Sequence, residues 1–174
     1  MTNELKILSK PRIHNRSDYI KAVSIAIKLN NHLNEDEIIA RVSEKHIPHA
    51  NSREIQDILL LKALQLGFLS EKRGIFKGLA TSQLRPDYFL KIDDTSGIIM
   101  EVERGRTIAN NMDLLDLWKC HICPYANYLF LIVPKIRQST NGSSDVFPKV
   151  VRRLSTFFTE SNFTNVDAVF VFGY

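Results

Sequence analysis

Cysteine is scarce: the chain has two, Cys120 and Cys123, among 174 residues. Two thiols three positions apart make no disulfide framework, and they suit a reducing compartment. No window approaches the roughly 18 apolar residues of a membrane-spanning helix. The opening stretch, MTNELKILSKPRIHNRSD, lacks the apolar centre of a signal peptide. The expectation is a cytoplasmic protein with no membrane partner. There is no phosphate-cradling P-loop, no G-x-G-x-x-G and no G-x-S-x-G, which removes the common nucleotide-binding and serine-hydrolase readings. Internal repeats and long low-complexity tracts are absent too. Charge of one sign is in only mild excess, 23 Lys and Arg against 19 Asp and Glu. A balance of +4 permits a polyanionic partner without demanding one.

What is present is a globular composition, 44% hydrophobic. Ile20, Val23 and Ile27 follow Ser17 and Asp18 at helical spacing, predicting a helix over 17–31. A second is expected over 34–46, with Asn34 and Glu37 at capping-box spacing. A third runs from 52 to 66, with Asn51 and Glu54 at the same spacing and Gly67 as a stop. The texture then changes. Residues 68–78 read as a strand or hairpin turning at Arg73-Gly74. Residues 87–92 and 98–103 read as strands joined by the turn DDTSG. A helix over 110–122 carries Leu114, Leu115, Trp118 and Ile122 on one face. The near-continuous apolar run 127–134 is a strand buried on both faces. The polar stretch 137–145 is an exposed loop, 146–160 a helix and 168–174 a last strand. From residue 51 onward this is an α/β layered domain, with residues 1–50 as an N-terminal helical extension.

Within it, GIIMEVERG (97–105) places two carboxylates on an apolar strand. Strand alternation sends Glu101 and Glu103 to one side and Val102 to the other. If the two strands pair through the DDTSG turn, Asp87 lies near the same end. Gathered carboxylates are costly unless a cation neutralises them. Mg²⁺ is the hard, oxygen-seeking candidate, and phosphodiester hydrolysis is the chemistry it serves. Arg85, Arg104 and Arg106 flank the cluster, as phosphates require.

Pro86-Asp87 followed by Glu101-Val102-Glu103 on the next strand resembles the PD-(D/E)XK nuclease superfamily. The resemblance spans roughly residues 51–174. It implies a restriction-endonuclease-like core, helix, three strands, helix and strand, with a mixed central sheet flanked by helices. It also implies a metal-dependent DNA endonuclease of restriction, defence or DNA processing. Asp87 and Glu101 would hold Mg²⁺, with Mn²⁺ able to substitute. The Val102 carbonyl would be a further ligand, and Glu54 an acidic residue from the first core helix. Where the family usually has lysine, this chain has Glu103. Some members resemble it there, and others take the lysine from the following helix, a part open to Lys119. The partners implied are DNA, a second copy in a homodimer, or another protein of a DNA-processing system.

Plainer roles remain open for each residue. Glu101 and Glu103 can belong to a solvated strand face, paired with Arg104 or Arg106. Asp87 can be a turn residue after Pro86, Glu54 a capping residue, and Lys119 the i, i+3 partner of Asp116. Glu54 shares a helix face with Ile58 and Leu61, which would lean it inward. The spacing C-x-x-C at 120–123, with His46 and His49 elsewhere, has the elements of a zinc site. Its place at the end of a packed helix favours two small apolar side chains. The rival reading is a non-catalytic DNA-binding module. It would be either an inactivated nuclease fold or a winged helix with the third helix in a groove and the 68–78 hairpin as the wing.

Overall fold

The structure, a computed structural model, describes residues 2–47, 52–70, 84–104, 107–139 and 142–174. It is a mixed α/β fold, a six-stranded mixed sheet flanked by helices. Strands β1 (Glu4–Ser9), β2 (Leu69–Ser70), β3 (Tyr88–Lys91), β4 (Gly97–Val102), β5 (Tyr128–Val133) and β8 (Ala168–Gly173) form it, in the order β1-β8-β5-β4-β3-β2. β4, β5 and β8 are parallel, and the outer pairings are antiparallel. β5 and β8 are buried along their whole length, as their unbroken apolar runs require. Helix α3 (Ser52–Gln65), β2, β3, β4, helix α4 (Met112–Ile122) and β5 appear in the order expected of the core.

Two apolar layers cover the sheet. On one face, α1 (Ser17–Leu33), α2 (Asp36–Lys45) and α3 pack on Ile98, Met100, Val102, Phe130 and Phe170. On the other, α4 and α5 (Phe147–Ser155) pack on Ile99, Leu129, Leu131, Val169 and Val171. The odd and even residues of β4 part cleanly between the two layers, the period of two that any strand imposes. Gly97 shows how tightly the start of β4 is packed: a Cβ there would stand 2.4 Å from the Tyr125 carbonyl oxygen.

Several expectations change. Residues 4–9 form an edge strand paired with β8, from Glu4 against Gly173 to Ser9 against Ala168. The N-terminal segment therefore shares the sheet of the core, which reading it as helices alone had not foreseen. Asn34 does not cap α2. It accepts from the Asn3 amide at 2.7 Å and donates to Asn30 O at 3.0 Å, so it ties β1 to the end of α1. The polar stretch after β5 forms a hairpin, β6 (Ile136–Ser139) and β7 (Gly142–Asp145), whose second strand is exposed. Of the proposed wing, Leu69 and Ser70 pair with Phe89 and Tyr88 of the central sheet; Arg73, Gly74 and the rest of 71–78 lie outside the described residues. Ile55, Ile58, Leu59 and Ala63 of α3 are buried against the sheet, so that face of the helix is not free to enter a groove. Among the described residues, no helix is long and apolar enough to cross a membrane.

Candidate active site

The β3–β4 pairing sets Tyr88 against Met100, so one step further Asp87 stands opposite Glu101. The two are joined directly. The Asp87 amide donates to Glu101 Oε2 at 3.3 Å, and the Val102 amide donates to Asp87 Oδ2 at 2.8 Å. N–H and C=O of one strand residue face the same neighbour, so the Val102 carbonyl also points toward the Asp87 side. Beyond the last residue of β4 the chain stays extended. The Glu103 amide donates to Ile132 O at 2.8 Å, and its carbonyl accepts from the Tyr174 hydroxyl at 2.9 Å. Glu103 therefore keeps the strand alternation and shares the α4 side of the sheet with Glu101. The site lies at the carboxyl end of a parallel strand, where open α/β sheets commonly bind ligands.

Helix α4 closes the site from above. Lys119 Nζ donates to Glu101 Oε1 at 2.9 Å and to Asp116 Oδ1 at 3.0 Å. Glu101 is 3% exposed, and Asp113 and Asp116 are fully buried. Arg153 of α5 approaches Asp113 Oδ1 at 3.3 Å, close enough for charge but outside hydrogen-bond geometry. Asp116 Oδ2 is buried and receives no hydrogen bond from an amide, hydroxyl or cation. The Glu103 carboxyl can serve it only by carrying a proton, since two carboxylates offer no donor.

The electrostatics follow from burial, with Lys119 the cation that the described residues bring to these carboxylates. Burial pushes the Glu101 carboxyl well above its usual range, Asp116 and Asp87 push it further, and Lys119 opposes them. Burial, then Asp116 and Asp87, lift Glu103 to about 8. Asp116 is raised by burial against the pull of Lys119. Burial lowers Lys119, but Glu101 and Asp116 outweigh it and hold the ammonium charged.

Of the residues expected in the site, Asp87, Glu101, Glu103 and Lys119 are brought together. Glu54 is not. It is exposed on α3, which packs on the opposite face of the sheet, and Leu61, expected beside it on an inward face, is 72% exposed. Arg104 is a correction as well: alternation sends it to the far side from Glu103, where it is buried and donates to the Ile47 carbonyl. Arg85 is exposed beside Pro86, and Arg106 and His49 lie outside the described residues. Cys120 and Cys123 are buried in the α4 layer, with burial pushing both thiols up. The His46 ring sits instead against Tyr174, with Nε2 2.8 Å from the Ile136 carbonyl oxygen. Most of the predicted apolar face of α4 is turned outward: Leu115, Trp118 and Ile122 are 49%, 58% and 44% exposed, while Leu114 is half-buried against the core. Asp113, Asp116, Leu117 and Cys120 face the sheet in their place. Asp116 was the residue sequence reading passed over, noticed only as a partner for Lys119; its spacing three before that lysine was the available signal.

Among the described residues, no three His, Cys, Asp or Glu side chains form a ready metal cage. Mg²⁺ does not need one, because it usually takes one or two carboxylates and completes its shell with water and phosphate oxygens. Asp87 and Glu101, adjacent across the strand pair, fit that donor set.

No protein-family model matches the chain, and no curated protein matches it. Among solved structures it is similar to the restriction endonuclease BglII complexed with a DNA 16-mer. The overlap covers 99% of this chain and 78% of that one, at 12% identity and a TM-score of 0.41. So loose a likeness transfers nothing, and the site rests on its own geometry.

Proposed function

We propose that this protein is a divalent-metal-dependent nuclease that hydrolyses phosphodiester bonds in DNA. One observation carries the reading: Lys119 reaches from α4 to Glu101, directly beside Asp87, at the carboxyl end of β4. A carboxylate pair that favours a cation, with an ammonium one hydrogen bond away, is the equipment phosphoryl hydrolysis calls for. Asp87 and Glu101 would hold Mg²⁺ or Mn²⁺, assisted by the Val102 carbonyl. The bound ion supplies Lewis acidity toward the phosphate and its leaving oxygen. Lys119 sets a positive charge where negative charge gathers on the phosphate during attack by water. Glu103, on the same face two residues along, orients that water. Arg85, exposed two residues before Asp87, contacts the DNA backbone.

The test is incubation of supercoiled and linear DNA with Mg²⁺, Mn²⁺ or Ca²⁺. Cleavage is expected with the first two and binding alone with Ca²⁺, which fits the oxygens but activates water poorly. No nicking with any metal on varied DNA and RNA substrates overturns the enzyme reading. Tight DNA binding without metal would then favour a non-catalytic module.

A further inference from the structure

We propose that Asp116 is a positioning residue, the anchor that fixes the Lys119 ammonium for its work at the Glu101 site. The inference deepens the nuclease reading and rests on it for what Lys119 does.

A lysine drawn from a helix has a handicap. Its four-carbon stem carries about 2 kcal/mol of rotamer entropy, and its ammonium is a point charge with no fixed fork. One partner leaves Nζ free to swing about that contact. Lys119 has two, Glu101 Oε1 at 2.9 Å from the sheet and Asp116 Oδ1 at 3.0 Å from its own helix. They hold Nζ from two sides, while 27% of the side chain stays exposed.

Stability does not explain the arrangement. An i, i+3 ion pair on a helix contributes roughly 0.2–0.5 kcal/mol, whereas withdrawing a carboxylate from water costs several kcal/mol. Asp116 is fully buried, and no amide, hydroxyl or cation among the described residues donates to its second oxygen. The same helix sends Leu115 and Trp118 outward. A helix that buries aspartate and exposes tryptophan violates its own pattern, and such violations gather at functional sites. The division of labour is also reasonable. Glu101 is the one carboxylate asked both to hold Lys119 and to bind a cation. An anchor within α4 keeps the ammonium in place when Glu101 turns to that second task.

The experiment is a double-mutant cycle of Asp116→Asn and Lys119→Ala, with Asp116→Glu as the conservative variant. Asp116→Asn keeps the volume, so the fold is retained. It should lower kcat about 10- to 100-fold, the usual scale for a residue acting through another, with KM unchanged. Asp116→Glu should recover part of the loss. In the Lys119→Ala background the same substitution should change the rate by no more than about twofold, within the limits of ordinary additivity. An undiminished loss in that background, or no loss in the wild type, overturns the proposal. A second readout needs no catalysis. Reductive methylation followed by mass spectrometry compares labelling of Lys119 with that of Lys28, which is exposed. Asp116→Asn should raise Lys119 labelling several-fold, leave Lys28 unchanged and not lower the melting temperature. If the wild type cuts nothing, the nuclease reading fails by itself, and labelling decides the anchor: unchanged labelling overturns it.

Discussion

Two ionic networks lie at opposite ends of the parallel strands, one partly exposed and one buried. At the amino ends of β5 and β8, Arg16 grips Asp18 with two nitrogens, at 3.0 and 2.5 Å, and reaches Asp167 at 2.7 Å. Lys10 binds Asp167 at 3.0 Å, and the Tyr128 hydroxyl donates to Asp18 at 2.6 Å. Two cations meet two carboxylates, and neutral donors fill the remaining positions. Burial would raise Asp18, but the hydrogen bonds from Arg16 and Tyr128 outweigh it and hold its carboxyl below the usual range. Among the described residues at the carboxyl end of β4, Glu101, Glu103 and Asp116 crowd around Lys119 with Asp87 beside Glu101, and the first three are raised. Similar ingredients thus do different work. A balanced network holds its charges in the ionised state and fastens the fold. An unbalanced one stores negative charge that a proton or a metal can answer.

The largest expected effect separates the two ends by mutation. Glu101→Gln should cost well over the roughly 100-fold of an indirect residue in cleavage rate. It should leave the metal-free protein as stable or more so near neutral pH, because it removes one of the crowded charges. Asp18→Asn should do the reverse and spare cleavage while weakening the fold. Breaking a fully buried pair costs about 3–5 kcal/mol, and this one should fall below that because the Arg16 side chain is 41% exposed. At roughly 2–4 °C per kcal/mol for a chain this size, thermal melts resolve it easily. Intact cleavage in Glu101→Gln would refute the site assignment.

Metal titration comes next. Mg²⁺ at about 100 times its Kd should stabilise the protein by about 2.7 kcal/mol. The gain should be larger at pH 8 than at pH 6, because protons compete for the same carboxylates. Glu101→Gln should erase it, and Asp18→Asn should not. Melting curves with and without Mg²⁺ at each pH check this.

A smaller effect is the pH dependence of the metal-free fold. Glu103 is raised from 4.5 to about 8, so the folded state holds a proton that the unfolded state releases. Its contribution is complete below pH 4.5 and is lost as pH rises toward 8. Asp18 is lowered from 3.8, so its contribution is present above that value and vanishes as pH falls through the folded one. Denaturant melts between pH 5 and 8 should slope downward for the wild type and less steeply in Glu103→Gln, with the raised Glu101 and Asp116 keeping part of the slope. The smallest effect belongs to Arg85. Arg85→Ala should weaken DNA binding alike on all sequences and reduce the salt slope by about one. Binding titrations at several salt concentrations measure it.

Part of the site was legible because strand geometry is local. A period of two puts Glu101 and Glu103 on one side whatever surrounds them, and the short turn at 93–96 brings Asp87 opposite Glu101. Lys119 was visible as a candidate, and Asp116 as its i, i+3 partner, but its reach to Glu101 was not. The apolar periodicity of α4 named the wrong face. Leu115, Trp118 and Ile122 suggested a core stripe, whereas the buried side carries Asp113 and Asp116. Burial of apolar residues is a tendency that a site can override. Arg104 misled for a related reason: its nearness in sequence to Glu103 concealed that alternation turns it through the sheet.

By itself, then, the chain determined the element order from α3 to β5, the doubly buried strands and the side to which each β4 residue points, because these depend on neighbours a few positions away. Tertiary structure decided the rest. It paired residues 4–9 with β8 across the length of the chain, rotated α4 so that its charged side meets the sheet, and sent Glu54 and Glu101 to opposite faces. Each of those outcomes turns on long-range packing, where the partner that satisfies a carboxylate or covers a strand edge lies far along the sequence and leaves no local periodicity to announce it.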